Sequence, residues 1–402
     1  MHTWHFSRAL ATLAVISFLS ACGGGSSSTS IPPVATPDQH QHASPTPTQT
    51  PTPNPALNPS SNLTANMTAQ GQWLAQHQLA DGAIVYTSTE IEPYYANLAA
   101  VGLVKIPSQL ANVRAWIGWY VAHINTTDVW NLGNTIYDYT YTSSGVETAT
   151  KSADSVDSYV ATFFTLLRQL YDTGDPTSQA YVVSLRPTLE KLGATIIAIQ
   201  QPDGMTIAMP SYPIAYLEDN CEVHRGLSDL AYLEQTAFSN STNAAKYTAA
   251  AAQVAGGIST LWSSSLQAYA WAKGEPGGEL NLPSWSTWYP DATSQLFPVL
   301  DGVIPATSSR AVALWKSFNT AFPTWDQLTD LGSSAGGFPT VLVGDAAAMM
   351  GDVTHSSVYI QSIQKIYGAS GYPWPWYDAE AGWYIRMDNQ LNLGSSLAPT
   401  EN

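Results

Sequence analysis

From about residue 64 onwards, apolar residues recur at intervals of three and four, and the apolar–polar alternation that is typical of strands is rare. This pattern predicts about a dozen helices joined by loops rich in Gly, Pro, Ser and Tyr. The predicted helices cover roughly residues 64–79, 93–103, 108–124, 154–171, 178–200, 219–238, 242–270, 291–302, 308–321, 342–351, 354–367 and 378–388. The pattern therefore indicates an all-α domain.

Two junctions between predicted helices are alike, at residues 78–84 and 200–207. In each, a helix ends with Gln, an Asp-Gly turn follows, and the chain then runs extended. Helix pairs that repeat about every 50 to 60 residues predict an array of helical hairpins. Six such hairpins over residues 67–402 would close into an (α/α)6 toroid, with apolar, acid-led helices inside and amphipathic helices such as 110–123 outside. An open solenoid is the alternative, and the irregular aromatic loops argue against it.

Residues 1–21 have the pattern of a lipoprotein signal peptide. Arg8 precedes an apolar stretch at residues 9–19, and the Leu-Ser-Ala-Cys that ends at Cys22 resembles a bacterial lipobox. The resemblance implies cleavage before Cys22 and its lipidation, with palmitate as one acyl chain; an ordinary signal peptide with an incidental Cys is the alternative. Residues 22–66, rich in Gly, Ser, Pro and Thr, predict a disordered tether. We expect a lipid-anchored protein of the bacterial cell envelope, in the outer membrane if the cell is Gram-negative.

The charge balance narrows the possible partners. The chain has 14 Lys and Arg against 30 Asp and Glu, a formal net charge of -16 at pH 7, which argues against nucleic acid. With Cys22 lipidated, Cys221 has no disulfide partner, and we expect it to be a small buried core residue. His224 and His355 lack the spacing of metal ligands, and no phosphate loop or dinucleotide fingerprint is present, so we expect neither a metal nor a cofactor.

Pairs of acids at predicted helix starts carry the candidate chemistry. Asp154 and Asp157 share one face at the head of an apolar helix, where a single acid would suffice as a cap. Helix caps and salt bridges are the alternative explanation. Hydrolysis of a glycosidic bond needs one protonated and one ionised carboxyl group. The candidate carboxylates are Glu90, Glu92, Asp138, Asp154, Asp157, Asp219, Glu222, Asp291 and Asp301.

Aromatic residues are concentrated in the predicted loops, where sugar rings could stack on them. Trp288 and Tyr289, for example, stand just before Asp291. For any single Trp, a place in the core is the alternative. The predicted substrate-binding residues are Tyr94, Asp138, Tyr139, Asp219, Glu222, Trp288 and Tyr289.

Several of these motifs together resemble the six-hairpin glycosidase superfamily. They are Asp-Gly-Ala-Ile at 81–84, Pro-Tyr-Tyr-Ala at 93–96, Asp-Ser-Val-Asp at 154–157 and Asp-Asn-Cys-Glu at 219–222, and the resemblance covers most of residues 67–385. It implies an (α/α)6 toroid that acts on carbohydrate.

The chain is also similar to family 8 glycoside hydrolases in the order of three acid motifs, around Glu90, Asp154 and Asp291. By that similarity Glu90 would be the general acid, Asp154 or Asp157 would orient the substrate, and Asp291 would be the base that activates water with inversion. Thr and Ile flank Glu90 where that family has Ser and Gly, and Glu92 competes for its role.

We therefore expect a monomeric, membrane-tethered glycoside hydrolase that acts with inversion on a poly- or oligosaccharide. Its predicted catalytic residues are Glu90, Glu92, Asp154, Asp157 and Asp291. The alternative is a non-catalytic lipoprotein on the same fold that binds carbohydrate or assists polysaccharide assembly. A polysaccharide lyase is a third candidate, disfavoured because a cleft for uronates is usually basic.

Overall fold

A computed structural model of the protein describes residues 59–274, 278–328 and 338–397. The predicted signal peptide, Cys22 and most of the predicted tether lie outside the described residues. The first helix begins at Pro59, so residues 59–66, which the sequence placed in the tether, are helical. Within the described ranges, no helix is both long enough and apolar enough to cross a membrane.

Helices make up most of the described structure. They are α1 (Pro59–Gln76), α2 (Pro93–Leu103), α3 (Leu110–Ala122), α4 (Val156–Asp172), α5 (Pro176–Ser184), α6 (Arg186–Ile199), α7 (Leu217–Thr236), α8 (Ser241–Thr260), α9 (Phe297–Leu300), α10 (Ser309–Ala321), α11 (Leu342–Met349), α12 (Val353–Ile366) and α13 (Asp378–Leu397). The short strands are β1 (Glu90–Ile91), β2 (Tyr139–Tyr141), β3 (Glu147–Ala149), β4 (Ala215–Tyr216), β5 (Trp262–Ser263), β6 (Ala268–Tyr269), β7 (Ala272–Lys273) and β8 (Leu280–Asn281).

Six helices form a closed inner ring. Helix α2 contacts α4, and the contacts continue through α7, α9, α11 and α13 back to α2. Each inner helix follows an outer helix in the chain, so the six outer–inner pairs are the predicted hairpins. The (α/α)6 toroid is therefore confirmed. The open solenoid is wrong, because the last helix packs on the first inner one. Cys221, as predicted, is fully buried.

Three predicted helices differ from the structure. The predicted helix 178–200 is two helices, which break at Leu185 because Pro187 in the first turn of α6 has no N–H to donate. The predicted helix 242–270 ends at Thr260, since β5 and β6 pair as a hairpin. The predicted helix 291–302 is a series of short turns that ends in the four-residue α9.

The two similar junctions fold in the same way. In each, the Gln side-chain amide donates to the glycine carbonyl at 2.8 Å and to a carbonyl of a nearby outer helix, at 2.9 Å for Gln78 and 3.1 Å for Gln200. Gly82 and Gly204 have positive φ angles of 106° and 92°, and a Cβ at either would overlap an outer-helix carbonyl. The repeated sequence therefore encodes a repeated link between the outer helix and the inner helix of a hairpin.

Two small antiparallel sheets lie next to the starts of inner helices. In one, β1 pairs with β2, with Glu90 opposite Thr140, and β2 pairs with β3. In the other, β4 pairs with β7, which pairs with β8. Because β1 ends at Ile91 and α2 begins at Pro93, the first sheet fixes the backbone before Glu92 and the helix fixes the backbone after it.

Helices α2 and α13 close the ring through glycine. A Cβ at Gly102 would lie 2.5 Å from the carbonyl oxygen of Gly382, and a Cβ at Gly382 would overlap the carbonyl of Leu98. The two backbones thus touch where side chains would hold them apart. This contact is what permits a narrow inner ring.

We expect Gly382→Ala to lower the free energy of unfolding by about 1–3 kcal/mol, because the new methyl group must push α2 and α13 apart. Gly394→Ala, in the same helix but with open space around it, should instead be neutral or raise it by up to about 1 kcal/mol. Urea denaturation of the two full-length variants measures both values. Similar changes in both would mean that close approach at Gly382 does not hold the ring.

Candidate functional site

The inner helices begin at the same end of the ring, because in each hairpin the outer helix comes first in the chain and the inner helix second. Helix starts present unpaired N–H groups and the positive end of the helix dipole. Carboxylates gather at this end on three consecutive inner helices, α13, α2 and α4. We call Glu90, Glu92, Asp138, Asp154 and Asp378 the mouth cluster.

Glu92 lies at the centre of the mouth cluster. It is the N-terminal cap residue of α2, yet its side chain makes no capping hydrogen bond. Burial raises its pKa well above the usual value, and the nearby charges of Asp138, Asp154, Asp378 and Glu90 raise it further. The side chain is still partly exposed. Glu92 is therefore a carboxyl group within reach of solvent whose surroundings favour its protonated form.

Asp138 is a second protonated acid in this cluster. Its carboxyl group is almost fully buried and accepts a 2.8 Å hydrogen bond from the Tyr159 hydroxyl. Burial raises its pKa to about 8, with Asp154 and Glu90 adding to the rise and the Tyr159 hydrogen bond opposing it. Asp138 thus holds Tyr159 in place beside the cluster.

The pKa of Asp138 predicts how stability depends on pH. Its folded-state pKa of about 8 lies above the ordinary 3.8, so the folded state holds a proton that the unfolded state releases. Its contribution is complete below about pH 4 and is lost as pH rises towards 8. Urea denaturation should show Asp138→Asn to be more stable than wild type at pH 8, by on the order of a few kcal/mol, but not at pH 4. An equal difference at both pH values would contradict this pKa.

Aromatic rings form a wall beside the mouth cluster. Tyr86 stacks on Tyr95 with ring centroids 5.1 Å apart, and Tyr377 packs edge-on to both. Trp374 packs edge-on to Tyr86 and Phe338, at 5.7 and 5.5 Å. Trp374 is 54% exposed, unlike the buried Tyr86 and Tyr377. The wall therefore offers one large open ring close to the acids.

Asp157, a predicted catalytic residue, lies below this surface, and its catalytic role stays a prediction. It is fully buried, and it accepts hydrogen bonds from the Thr206 hydroxyl at 2.7 Å and the Ser158 N–H at 3.0 Å. Asn220 of α7 in turn donates to and accepts from the Thr206 backbone. Burial and the charge of Asp219 raise the pKa of Asp157 well above its usual value. Asp157 ties α4 to the 200–207 junction.

Tyr94 and Glu222, two predicted substrate-binding residues, bond to each other. The Tyr94 hydroxyl donates to Glu222 at 2.7 Å, and both side chains are buried. Burial and the charges of Asp301, Glu218 and Asp219 raise the pKa of Glu222 well above its usual value. Glu222 and Asp301 line a cavity of about 30 Å³ on the axis of the ring, which has room for about one water molecule.

Asp291, the predicted base, is apart from the mouth cluster in its interactions. It accepts a 2.6 Å hydrogen bond from the Ser284 N–H, and burial raises its pKa. No carboxylate of the mouth cluster contributes to that shift. The structure therefore does not join Asp291 to Glu90 or Glu92, and its catalytic role stays a prediction.

Two aromatic residues predicted to bind sugar are packed against outer helices instead. Trp288 is 1% exposed and packs on Phe318 and Phe322 at 5.3 and 5.0 Å. Tyr139 is buried against Trp119, at 5.3 Å. Neither ring has a free face for a sugar. Tyr289 is partly exposed, and its predicted role remains open to test.

The sequence analysis missed the acids that begin α13. Asp378 is fully buried and belongs to the mouth cluster. Glu380 accepts hydrogen bonds from the Thr340 and Val341 N–H groups, at 3.0 and 2.6 Å, and so fixes the start of α11. The signal was present, because the predicted helix 378–388 begins with an acid. No group of three or more His, Cys, Asp or Glu in the described ranges is arranged to hold a metal ion.

Solved structures with the same fold are glycosidases. The chain is similar to a wild-type glycosidase (TM-score 0.59, 11% identity, 83% of this chain and 98% of that one). It is also similar to the GH63 mannosylglycerate hydrolase from Thermus thermophilus solved with Tris and D-glycerate (0.56, 10%, 80% and 99%). A GH78 rhamnosidase from Bacillus sp. GL1 matches over 84% of this chain and 35% of its own (0.50, 14%). No family model and no curated protein matches in sequence. The likenesses support the (α/α)6 toroid fold.

Proposed function

We propose that the protein is a glycoside hydrolase and that the mouth cluster is its active site. The observation that carries the proposal is a partly exposed Glu92 with a raised pKa, surrounded by carboxyl groups and next to a wall of aromatic rings that includes the exposed Trp374. Glycosidic hydrolysis needs such a proton donor and a second carboxylate. The fold shared with solved glycosidases supports the same reaction.

In the proposed mechanism Glu92 is the general acid. It protonates the glycosidic oxygen as the bond from that oxygen to the anomeric carbon breaks. Asp154, which is also partly exposed, takes a proton from the water that attacks the anomeric carbon, with inversion. Burial and the carboxyl groups around it favour the protonated form of Glu92. The acid role thus moves from Glu90, which accepts a hydrogen bond from Thr87 at 3.0 Å, to Glu92.

The proposed substrate is a neutral or weakly charged saccharide. The mouth cluster brings several carboxyl groups together in a chain of net charge -16, which disfavours an anionic polysaccharide. The aromatic wall gives an apolar surface for the C–H face of a sugar ring. The saccharide assay described next measures the length of the sugar chain and the position of cleavage.

Release of reducing ends from a panel of neutral and uronate-containing saccharides tests the proposal on the full-length protein. We expect release from at least one neutral saccharide, with the first product formed in the inverted anomeric configuration by proton NMR. Saccharide binding without release would contradict hydrolysis and favour the carbohydrate-binding lipoprotein. Products with ultraviolet absorbance would indicate a lyase.

We expect Trp374→Ala to raise KM about tenfold, which corresponds to about 1.4 kcal/mol, and to leave kcat within a few-fold. The reason is that its exposed ring is the platform for a sugar away from the reacting bond. Trp73→Ala is the control, because Trp73 stacks on His77 of the outer region. An unchanged KM in Trp374→Ala would remove the aromatic wall from the substrate site.

We also propose that Cys22 anchors the protein to a membrane, with the outer membrane as its place in a Gram-negative cell. The lipobox-like sequence around Cys22 supports this. In a bacterial host, Cys22→Ser should move the protein from the membrane fraction to the soluble fraction. If both forms fractionate with the membrane, lipidation of Cys22 is not the anchor.

A further inference from the structure

A second cavity opens at the opposite end of the inner ring, where the inner helices end. Its volume is about 480 Å³, within the range of small-molecule sites. It is lined by residues after α2, in the last turn of α4 and along α13. It shares Gln169, Arg225, Leu300 and Arg386 with the small axial cavity that reaches Glu222. The site lies at the other end of the inner helices from the mouth cluster.

Three of the chain's 14 basic residues, Lys105, Arg225 and Arg386, line this one cavity. Arg225 pairs with Asp229 at 2.8 Å and Arg386 with Asp345 at 3.1 Å. In a chain of net charge -16, three basic side chains in the lining of one cavity are unexpected. Their position indicates that the cavity has a specific role.

Lys105 differs from the two arginines. Its ammonium group donates to the amide oxygen of Gln169 at 2.5 Å, and no carboxylate lies within 4.0 Å of it among the residues that the structure describes. The carboxylates that line the cavity, Asp172 and Asp345, already pair with arginines, Asp172 with Arg168 at 2.7 Å. Lys105 is thus a part-buried cation without a counter-ion.

The surroundings of Lys105 favour an incoming anion. Burial and the charges of Arg386 and Arg225 lower the pKa of Lys105 to about 8, while Asp345 and Asp172 oppose this. A buried charge is costly unless it is paired. Asp301 and Glu222 line the small axial cavity together with Arg225 and Arg386. Their carboxyl groups disfavour an anion there, so an anion is expected only in the outer part of the larger cavity.

We propose that this cavity binds a small hydroxylated anion through Lys105, with the carboxylate or phosphate group of the ligand completing the ion pair that Lys105 lacks. Arg225 and Arg386 add attraction at longer range. Gln169, Thr173, Asn389 and Gln390 line the cavity and supply amide and hydroxyl groups for the ligand's hydroxyls. The proposal does not depend on catalysis at the mouth cluster.

Isothermal titration of the full-length protein with D-glucuronate, glucose 6-phosphate and neutral D-glucose tests the proposal at pH 7. We expect at least one of the two anions to bind and glucose to bind at least tenfold more weakly. Lys105→Met, similar in length but uncharged, should weaken anion binding at least tenfold. Lys365→Met, on the exposed face of an outer helix, should not. Raising the pH from 7 to 9 should weaken binding in wild type and in Lys365→Met, but not the residual binding of Lys105→Met.

A second variant distinguishes loss of the binding site from a folding defect in Lys105→Met. Asn389→Asp places a carboxylate at the edge of the cavity and should also weaken anion binding, while circular dichroism and the melting temperature show that each variant is folded. Binding that survives Lys105→Met overturns the proposal, as does failure of both anions to bind wild type. Loss of anion binding in Glu92→Gln but not in Lys105→Met would place the anion at the mouth cluster instead, and would also overturn it.

Discussion

Glu92→Gln should lower kcat by about 10²–10⁴-fold and leave the protein folded. Glutamine keeps the shape of a protonated glutamic acid but has no proton to give to the leaving oxygen. Because burial and the neighbouring carboxyl groups favour the neutral acid at Glu92, a neutral amide suits the same surroundings, so we expect no loss of thermal stability. Steady-state kinetics and the melting temperature check the two halves of this prediction.

The pH dependence distinguishes a proton donor from a positioning group. A donor with a raised pKa makes kcat fall as pH rises through that pKa, and this limb should be missing from the residual activity of Glu92→Gln. Glu90→Gln is the matched control, because Glu90 lies two residues before Glu92 in the chain, and it should lose much less activity. If Glu90→Gln were the more damaging change, the roles implied by the family 8 similarity would be right and the present assignment wrong.

Asp157→Ala should lower the free energy of unfolding by about 2–4 kcal/mol. The substitution leaves the buried Thr206 hydroxyl and Ser158 N–H without their acceptor and loosens α4 from the 200–207 junction. Urea denaturation measures the change. Once corrected for the folded fraction, kcat should stay within a few-fold of wild type, because Asp157 does not reach the surface.

Asp157→Asn provides the control for this prediction. Burial raises the pKa of Asp157 and so favours its protonated form, which an amide mimics in shape and charge. Asp157→Asn should therefore keep most of the stability that Asp157→Ala loses. A folded Asp157→Asn with kcat reduced a hundredfold would show that Asp157 takes part in the reaction after all.

The sequence contained enough information to predict the ring of helices. It did not contain enough to predict how deeply each side chain is buried in that ring. Helix spacing and the repeated Asp-Gly junctions are local features, and they predicted the hairpins correctly. Asp154 and Asp157 share a helix face in the sequence pattern, yet the structure leaves Asp154 partly exposed and buries Asp157. The difference arises because the 200–207 junction covers Asp157, and that contact joins residues distant in the chain.

The same limit explains the aromatic residues. Trp288 stands beside an acid in the sequence, but its ring packs on an outer helix that follows it in the chain. Trp374 was one of many loop aromatics, and only the closure of α13 onto α2 places it beside Tyr86. The packing of α13 on α2 therefore determines which aromatic side chain can contact a substrate, and no local sequence pattern encodes that packing.

The most direct test compares hydrolysis of one saturating neutral saccharide by folded wild type, Glu92→Gln and Asp157→Asn. If the chemistry takes place at the mouth cluster, Glu92→Gln should retain less than about 1% of the wild-type rate and Asp157→Asn should stay within about threefold of it. The reverse order of rates, or equal rates in all three proteins, would contradict the assignment of the reaction to Glu92 and the carboxylates around it.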